Sequence, residues 1–580
     1  MSPSGGAWLA AGALLYAGLA VSSMRLKSAT YDEPRHLVAG YTYLARGDYR
    51  LNPEHPPLAK TLAAAGLLGM DVSFRTDDVS WREAYQNKLS RQFMYQWNDG
   101  DRLLFRARLP MVALAALLVV AVGLWAARLA GACAGAVAAF LAALFPDLLA
   151  HGQLVTTDAA VALFLFLTVY AFWRVAERIT PVRVALAGLA LGAALATKVS
   201  AFALFPILAA LAAVLAFAGP PLLLRARGRE QALEAPRARL LALAAVLLAM
   251  GVIAWAVIWA SYGFHRAPSR DPSAPALDWT IVPPGQPAAD LLRAVHRAGL
   301  LPDPYVWGLL FRVAANQAGG EDTAGAFLHG DLSGTGWWWY FPATFAVKTP
   351  LPLIALAAAA LALAARGERR TECFLWLPVG LFAAITIAQR LNIGHRYLLP
   401  VYPFLFVAAA RVAARGFERG VERHGPWLRA ALALLLAWYA AGTLRVHPHY
   451  LAYFNEAAGG PRNGYRWLVD SNLDWGQDLR GLADYLRASG AAGAKLSYFG
   501  TADPAYYGIQ AERLPGFPPP AQITAGVNPG DLLAVSATNL QAVRLDQGRR
   551  LMRRLREQEP IATIGYSILI YRADFSWTPE

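Results

Sequence analysis

The sequence predicts a polytopic α-helical membrane protein of about eleven spans, carrying a small soluble α/β domain at its C terminus. Three observations lead there. Apolar runs of about 20 residues, enough to cross hydrocarbon, recur along the 580-residue chain. Hydrophobic residues make up 56% and charged residues only 16% of the chain. An ordinary soluble chain carries about 25% charged residues, so this one has too few to solvate the several globules its length would otherwise form. The 53 Lys and Arg outnumber the 39 Asp and Glu, and the surplus is gathered into alternate short loops. A net charge of +14 by itself would suit a nucleic-acid binder. Its confinement to alternate loops between apolar runs excludes nucleic acid as partner and points to a bilayer. The 18 Trp, 23 Tyr and 25 Phe exclude disorder. The two cysteines, Cys133 and Cys373, lie in or beside apolar runs with no Cys/His cluster, which excludes a thiolate zinc site.

Spans are expected near 7–24, 109–128, 130–150, 157–176, 182–197, 199–218, 239–262, 343–365, 372–389, 396–414 and 427–446. The stretch 182–218 reads either as one long kinked helix or as two helices hinged near Lys198. On this count Arg174, Arg178 and Arg183 share one side with Arg225, Arg227, Arg229, Arg237 and Arg239, with Arg366, Arg369 and Arg370, and with Arg415, Arg419 and Arg423. The opposite short loops hold only Lys198, Arg390 and Arg396, so the basic side is cytoplasmic. The first span is the exception, with Arg25 and Lys27 at its outer end and no basic residue before it. A cleaved signal peptide ending near Ala20–Ser23 is the competing reading there, weakened by the missing basic leader.

This topology gives a membrane module over 1–446, with outward loops 25–108 and 263–342, and an outward tail over 447–580. Trp337–Phe341 stands just before a span, as an interfacial belt does. In the tail, Lys495–Phe499, Leu532–Ala537 and Ile561–Tyr571 read as strands, and Gly481–Ala488 and Gln541–Gln558 as helices.

Ionisable residues are nearly absent from the spans and crowd the outward helix ends. That suits surface chemistry better than an ion-coupled carrier, which buries charge along its path. The densest cluster is Tyr31-Asp32-Glu33-Pro34-Arg35-His36, followed by Asn52-Pro53-Glu54-His55-Pro56-Pro57-Leu58-Ala59-Lys60. Thr30 and Glu33 have capping-box spacing, which explains one acid and leaves its neighbour free to face a cavity. A partly dehydrated carboxylate there accepts a proton from a hydroxyl nucleophile. The rigid His55-Pro56-Pro57 turn holds His55 and Lys60 near that acid. Glu33 and His36, three apart on one helical face, with His55 close by, also offer a ligand set for a divalent metal such as Mn²⁺ or Zn²⁺. Asp158 is either a second acid or, with Thr156 and Thr157, part of a helix N-cap.

These segments resemble the protein O-mannosyltransferases and their bacterial relatives, polytopic glycosyltransferases of the GT-C fold that use a polyprenyl-phosphate-linked sugar. The resemblance rests on Asp32-Glu33 after the first span and on His55-Pro56-Pro57-Leu58-Ala59-Lys60. Thr156-Thr157-Asp158, Ala196-Thr197-Lys198, Val347-Lys348-Thr349-Pro350 and Gly394-His395-Arg396-Tyr397-Leu398-Leu399-Pro400 also look like family segments. In the tail, Asp470-Ser471-Asn472-Leu473-Asp474-Trp475-Gly476-Gln477-Asp478 is similar to a segment of bacterial members. The resemblance implies an enzyme of the bacterial inner membrane. Its acceptor hydroxyl attacks the anomeric carbon as the lipid phosphate departs, inverting that centre. Asp32 is then the general base, and Glu33 either positions it or holds the helix start. Arg396, Lys60, Lys198 and Lys348 are the candidates for the phosphate, Arg396 foremost because its planar fork binds two oxygens at once. Against this, Arg390 and Arg396 could simply anchor helix ends at headgroups. His36, Glu54, His55, His395 and Tyr397 are candidates for substrate contact or positioning. Eukaryotic members carry a β-trefoil between the seventh and eighth spans; the loop 263–342 is too short for one, so a lipid, glycan or other hydroxyl acceptor is as admissible as a protein. The rival class is a transporter or flippase of lipid-linked sugars, which the charge-poor spans and acid-rich outward loop disfavour.

Overall fold

The computed structural model describes residues 6–226, 229–272, 274–283, 285–317, 325–419, 425–520, 522–524 and 526–579; Arg227 and Arg423, and the side chain of Arg419, lie outside what is described. The helix Ala7–Met24 packs on a 44-residue helical element, Gly100–Ala143, that turns back on itself at Ala130–Gly131. Gly131 has φ +81°, a conformation that favours glycine. A side chain on Gly123 would sit 3.2 Å from the Gly135 carbonyl, so the two limbs lie against each other. Trp8 fills the groove they form. The expected spans 109–128 and 130–150 are these limbs, the first beginning earlier, at Gly100, and the second stopping at Ala143. A separate short helix, Pro146–His151, follows.

Next come Asp158–Glu177 and the 15-residue helix Pro181–Leu195. The chain is then extended at Lys198 and resumes as Val199–Ala218. The stretch 182–218 is therefore two helices hinged at Lys198. Pro236–Ser261 lies along Pro181–Leu195, where Gly188 and Gly192 let Ile253 and Val257 approach closely. Tyr340–Lys348 and Leu351–Arg366 meet at a 115° bend across Thr349-Pro350, where proline cannot donate the hydrogen bond that would continue the helix. Arg369–Ile387, the enclosed His395–Phe417 and Gly425–Leu444 complete the module.

Among the described residues eight helices are long and apolar enough to cross a membrane, or nine if the bent pair is one span. The expected eleven apolar stretches all coincide with helices, and three of them are not counted as separate spans by this length test. The hairpin limbs join into one element, Pro181–Leu195 is too short to cross upright, and 343–365 is sharply bent. At one end of the helix Asp158–Glu177, Arg174 and Arg183 surround Glu177, and Arg178 reaches Glu230 of the hairpin Leu222–Ala226/Arg229–Leu233. Asp158 is at the other end, about 30 Å away for 20 residues of α-helix. These arginines are thus remote from Asp158.

The loop 25–108 folds into the helices Glu33–Arg46, Leu58–Ala65, Val79–Arg82 and Gln86–Tyr95 before the long element begins. The loop 263–342 holds Pro287–Arg297, Asp303–Gln317 and a small hairpin, Ala326–Leu328/Asp331–Ser333. Only part of the Trp337–Phe341 belt is accessible: Trp338 and Trp339 are exposed, whereas Tyr340 and Phe341 are buried.

The tail contains a five-stranded mixed sheet. Its order from one edge is Gln510–Arg513, Gly493–Ser497, Leu532–Ser536, Ile568–Arg572 and Ala562–Ile564. The first three strands are parallel, and Ile568–Arg572 is antiparallel to both neighbours. The helix Leu479–Ser489 covers one face with Leu479, Leu482, Ala483 and Leu486. The single strand expected over Ile561–Tyr571 is a hairpin turning at Gly565, which has φ +60°. The helix expected over Gln541–Gln558 is shortened to Arg549–Arg556. Asn455 fastens the tail to the bend, its Nδ2 donating to the carbonyls of Ala346 (2.6 Å) and Thr349 (2.9 Å).

Gly135→Val would drive its side chain into the Trp8 ring and Ala127. The expected cost is about 1–3 kcal/mol of overpacking, read as a lowered Tm of the purified protein; an unchanged Tm would mean that the limbs do not pack this way.

Candidate active site

Asp32 holds the N-cap position of Glu33–Arg46, yet its side chain makes no capping bond. The carboxylate points instead into a cavity of about 1190 Å³ walled by the first loop, the helix Asp303–Gln317, the 391–397 segment and the tail. Its side chain is 26% exposed. The work of fixing the helix start falls to Glu33, which is fully buried. Glu33 Oε2 accepts from the Thr30 N–H (2.8 Å) and Thr30 Oγ1 (3.0 Å), and Oε1 accepts from the Val155 N–H (2.9 Å). Arg108 donates to both oxygens, at 2.8 and 2.6 Å. The expected capping box does not form, since the N-cap is Asp32 and the Thr30 hydroxyl donates to the Glu33 carboxylate while the Glu33 N–H goes to the Thr30 carbonyl; Glu33 braces the backbone beneath Asp32 with no face left for the cavity.

Arg396 begins the enclosed span and reaches back toward both acids. Its Nη1 lies 3.4 Å from Asp32 Oδ2 and 3.5 Å from Asp158 Oδ2. Asp158 is the first helical residue after its N-cap, Thr157, and its other oxygen accepts from Lys198 Nζ at 2.5 Å. Asp158 is thus not the N-cap, and its carboxylate is ion-paired to two cations. Lys198 is carried there by the extended hinge. Tyr397 lies beneath both cations, with Lys198 Nζ 4.6 Å and the Arg396 guanidinium 5.4 Å from its ring centre. Asp32, Arg396, Asp158 and Lys198 thus form one continuous chain of charge. Burial alone would raise the Asp32 carboxyl, but Arg396, with His36 and Arg35, outweighs it and holds Asp32 below the ordinary carboxylate value.

The remaining candidates divide. His36, Glu54 and His55 line the cavity. Nδ1 of His36 is hydrogen-bonded to the Val155 carbonyl, and its ring meets His55 edge-on at 5.4 Å. Burial pushes His36 down to about 4 and His55 well below its usual value, so both imidazoles are neutral at pH 7. Glu54 accepts from Asn52 Nδ2 at 2.6 Å. Lys60 does not face the cavity: its ammonium donates to the carbonyls of Asn52 (2.6 Å) and His55 (2.7 Å), to Asn52 Oδ1 (3.0 Å) and to the Tyr43 hydroxyl (2.8 Å). It knots the Pro-rich loop from inside, and burial lowers it to about 7. Lys348 likewise turns away, donating to the carbonyls of Leu451 and Asn472, each at 2.8 Å. His395 is buried between Thr344 and the Tyr402 hydroxyl.

For a metal, Glu33, His36 and His55 are the wrong set as placed, because Glu33 has both oxygens committed to Arg108 and backbone N–H groups. Among the described residues no group of three His, Cys, Asp or Glu side chains is positioned to hold one.

Reading the sequence missed Arg108 and Trp475. Arg108 follows buried Leu104 by four residues and precedes buried Met111 by three, so helical spacing places it on the buried face, a signal present in the sequence. Trp475 lies in the tail segment singled out by resemblance, but its partner, Arg396, 79 residues away, had no local signature.

Residues 26–266 match the family model of dolichyl-phosphate-mannose-protein mannosyltransferase. Among solved structures the chain is similar to ArnT from Cupriavidus metallidurans bound to undecaprenyl phosphate, with 12% identity, 97% of this chain and 98% of that one covered, and a TM-score of 0.46. It is similar to the Saccharomyces cerevisiae protein O-mannosyltransferase Pmt1-Pmt2 complex bound to the sugar donor, with 10% identity, coverages of 77% and 90%, and a TM-score of 0.49. A further likeness is to the archaeal oligosaccharyltransferase AglB from Archaeoglobus fulgidus in complex with an inhibitory peptide and a dolichol-phosphate, with 13% identity, coverages of 83% and 58%, and a TM-score of 0.42. No curated protein matches the chain by sequence. The matched region, less than half of the chain, holds Asp32 and Asp158, and Arg396 reaches them from outside it at the wall of the large cavity.

Arg108→Ala leaves the Glu33 carboxylate buried without its cation, a change expected to cost about 3–5 kcal/mol. The check is a sharply lowered Tm or loss of folded protein on size-exclusion chromatography; a variant that melts like the wild type would remove Glu33 from this bracing role.

Proposed function

We propose that this GT-C-type protein transfers a sugar from a polyprenyl-phosphate-linked donor to a hydroxyl acceptor, inverting the anomeric centre, at the extracytoplasmic face of a bacterial cell membrane. In this reading the membrane module 1–446 carries the reaction, and the tail 447–580 covers its cavity. The observation that carries the proposal is the shared guanidinium: Arg396 lies within 3.5 Å of both Asp32 and Asp158 on the cavity wall.

A donor phosphate entering there displaces Asp32 as the partner of Arg396 and lies beside Lys198. Asp32, freed from its cation, becomes a better base for the acceptor hydroxyl. The acceptor oxygen loses its proton to Asp32 while forming its bond to the anomeric carbon. The bond from that carbon to the phosphate oxygen breaks, and the electron pair leaves with the phosphate. Arg396 and Lys198 stabilise the growing phosphate charge, which is where fixed cations contribute most. Asp158 keeps both cations aimed. The undecaprenyl phosphate of ArnT and the dolichol-phosphate of AglB support a polyprenyl carrier. The short loop 263–342 leaves protein, lipid and glycan acceptors equally open. The basic loops at the far end of the helix Asp158–Glu177 support the orientation.

Asp32→Asn is expected to lower transfer by about 10²–10⁴-fold while binding of undecaprenyl phosphate persists. The assay follows labelled polyprenyl-phosphate sugar into a crude membrane acceptor fraction, and wild-type turnover in this variant would sink the assignment. Because Arg396 lowers the Asp32 carboxyl, the free enzyme keeps its base ionised to below the ordinary Asp value, about 3.9. The acidic limb of kcat/KM should therefore fall below that value and move upward in Arg396→Met.

A further inference from the structure

We propose that Trp475, in the C-terminal tail, is a positioning residue that sets the distance between Asp32 and Arg396. The proposal rests on the reading of these two residues as base and phosphate ligand. Trp475 is 2% exposed and touches both halves of the site. Its ring takes the Arg396 guanidinium over its face, 4.2 Å from the ring centre. Its carbonyl accepts the Tyr31 N–H at 2.8 Å, one residue before Asp32. On the other side of that residue, the Tyr31 carbonyl accepts from Thr501 Oγ1 at 3.0 Å, again from the tail.

The contacts that Arg396 makes inside the membrane module do not fix it. Its approaches to Asp32 and Asp158, 3.4 and 3.5 Å, are at the outer limit of a hydrogen bond, and its Nε has no hydrogen-bond partner although buried. A guanidinium held so loosely by its anions takes its orientation from a flat surface, and stacking on an indole supplies one. The backbone around it is held by the same stretch of tail. Asn472 Oδ1 accepts the His395 N–H at 2.7 Å, and Ser471 Oγ donates to the Ile393 carbonyl at 2.8 Å. Gly394 allows this approach, since a Cβ there would collide with Ser471 Oγ. Trp475 is itself braced, its N–H donating to Gln477 Oε1 at 2.8 Å while Gln477 Nε2 returns to the Leu473 carbonyl at 2.9 Å. The tail therefore completes the site. Cation and acid sit on separate stretches of the membrane module, and Trp475 touches Arg396 with its ring and Tyr31, the neighbour of Asp32, with its carbonyl.

Substitution tests the ring and leaves the carbonyl in place. In the full-length protein in detergent, titrated with undecaprenyl phosphate, Trp475→Leu should weaken binding by about 10–30-fold, the size expected for losing a desolvated cation–aromatic contact. Trp475→Phe should restore most of it. Adding Trp475→Leu to Arg396→Ala should cause no further loss. Trp475→Met replaces the Leu variant if that one does not fold. Unchanged affinity in a folded Leu or Met variant, or a full loss in Trp475→Phe equal to that in Leu, overturns the proposal. If the wild type itself fails to bind undecaprenyl phosphate, the donor reading falls, and Tm values for the wild type, Trp475→Leu, Arg396→Ala and the double variant decide the positioning claim. Non-additive Tm shifts for Trp475→Leu and Arg396→Ala support it, and additive shifts overturn it.

Discussion

A guanidinium taken almost entirely out of water must be surrounded by compensating groups, and much of this architecture follows from meeting that demand at Arg396. Its side chain is 9% exposed. One anion comes from the start of the first loop helix, Asp32, and another from the start of a membrane helix, Asp158. An aromatic face comes from Trp475, in the tail. The second anion needs its own extra cation, and the broken helix at Lys198 delivers it. Each of these stretches departs from regular helix where it meets the site. Asp32 stands at an uncapped helix start, the chain is extended at Lys198, and Arg396 lies in a 3₁₀ segment. Irregular backbone at membrane depth is tolerated where protein buries it or a cavity adjoins it, and this site does both.

A second buried pair supports the first. Glu33 and Arg108 are saturated by each other and by backbone groups, including the carbonyls of Met24, Lys27 and Ser28 that Arg108 caps. Two adjacent acids thus take opposite roles through their surroundings. Glu33, on the packed side, has no oxygen to spare, whereas Asp32, on the cavity side, keeps only a long contact to one cation. The pairing of a rigid acid with a poised one explains why the motif needs both carboxylates when one faces the cavity.

Much of this could be read from the chain. The apolar runs located every membrane element, because hydrocarbon thickness imposes a length that composition reveals. The reversal at Gly131 was legible as the break between the runs 109–128 and 130–150, whereas the bend at Pro350 was not, because the rule reads only length and apolarity. Asp32, Glu33, Asp158, Lys198 and Arg396 were visible as charges at helix ends. Lys60 and Lys348 looked equivalent to Lys198, yet they turn inward to backbone carbonyls, and no local signal separates an ammonium that faces a cavity from one that knots a loop. The edge strand Gln510–Arg513 was illegible because four largely polar residues carry no alternation. Trp475 was illegible for a different reason: its role exists only through a partner brought to it by the fold.

The contact between Asp32 and Arg396 also bears on how charge moves in the proposed reaction. A sugar phosphodiester brings one negative charge to the site and leaves as a phosphate monoester with a second. Over the same step Asp32 takes up the acceptor proton and loses its own. The charge that Arg396 sees is therefore transferred from carboxylate to phosphate and does not accumulate, so the buried cation pair is never asked to hold a net anion it did not already face. Asp158 remains ionised throughout and fixes the field in which the exchange occurs. Interactions that strengthen only as charge reaches the leaving oxygen are the ones that accelerate the step. Arg396, already released from Asp32 by the entering donor, forms such an interaction, because its hold on the phosphate tightens as charge reaches the leaving oxygen.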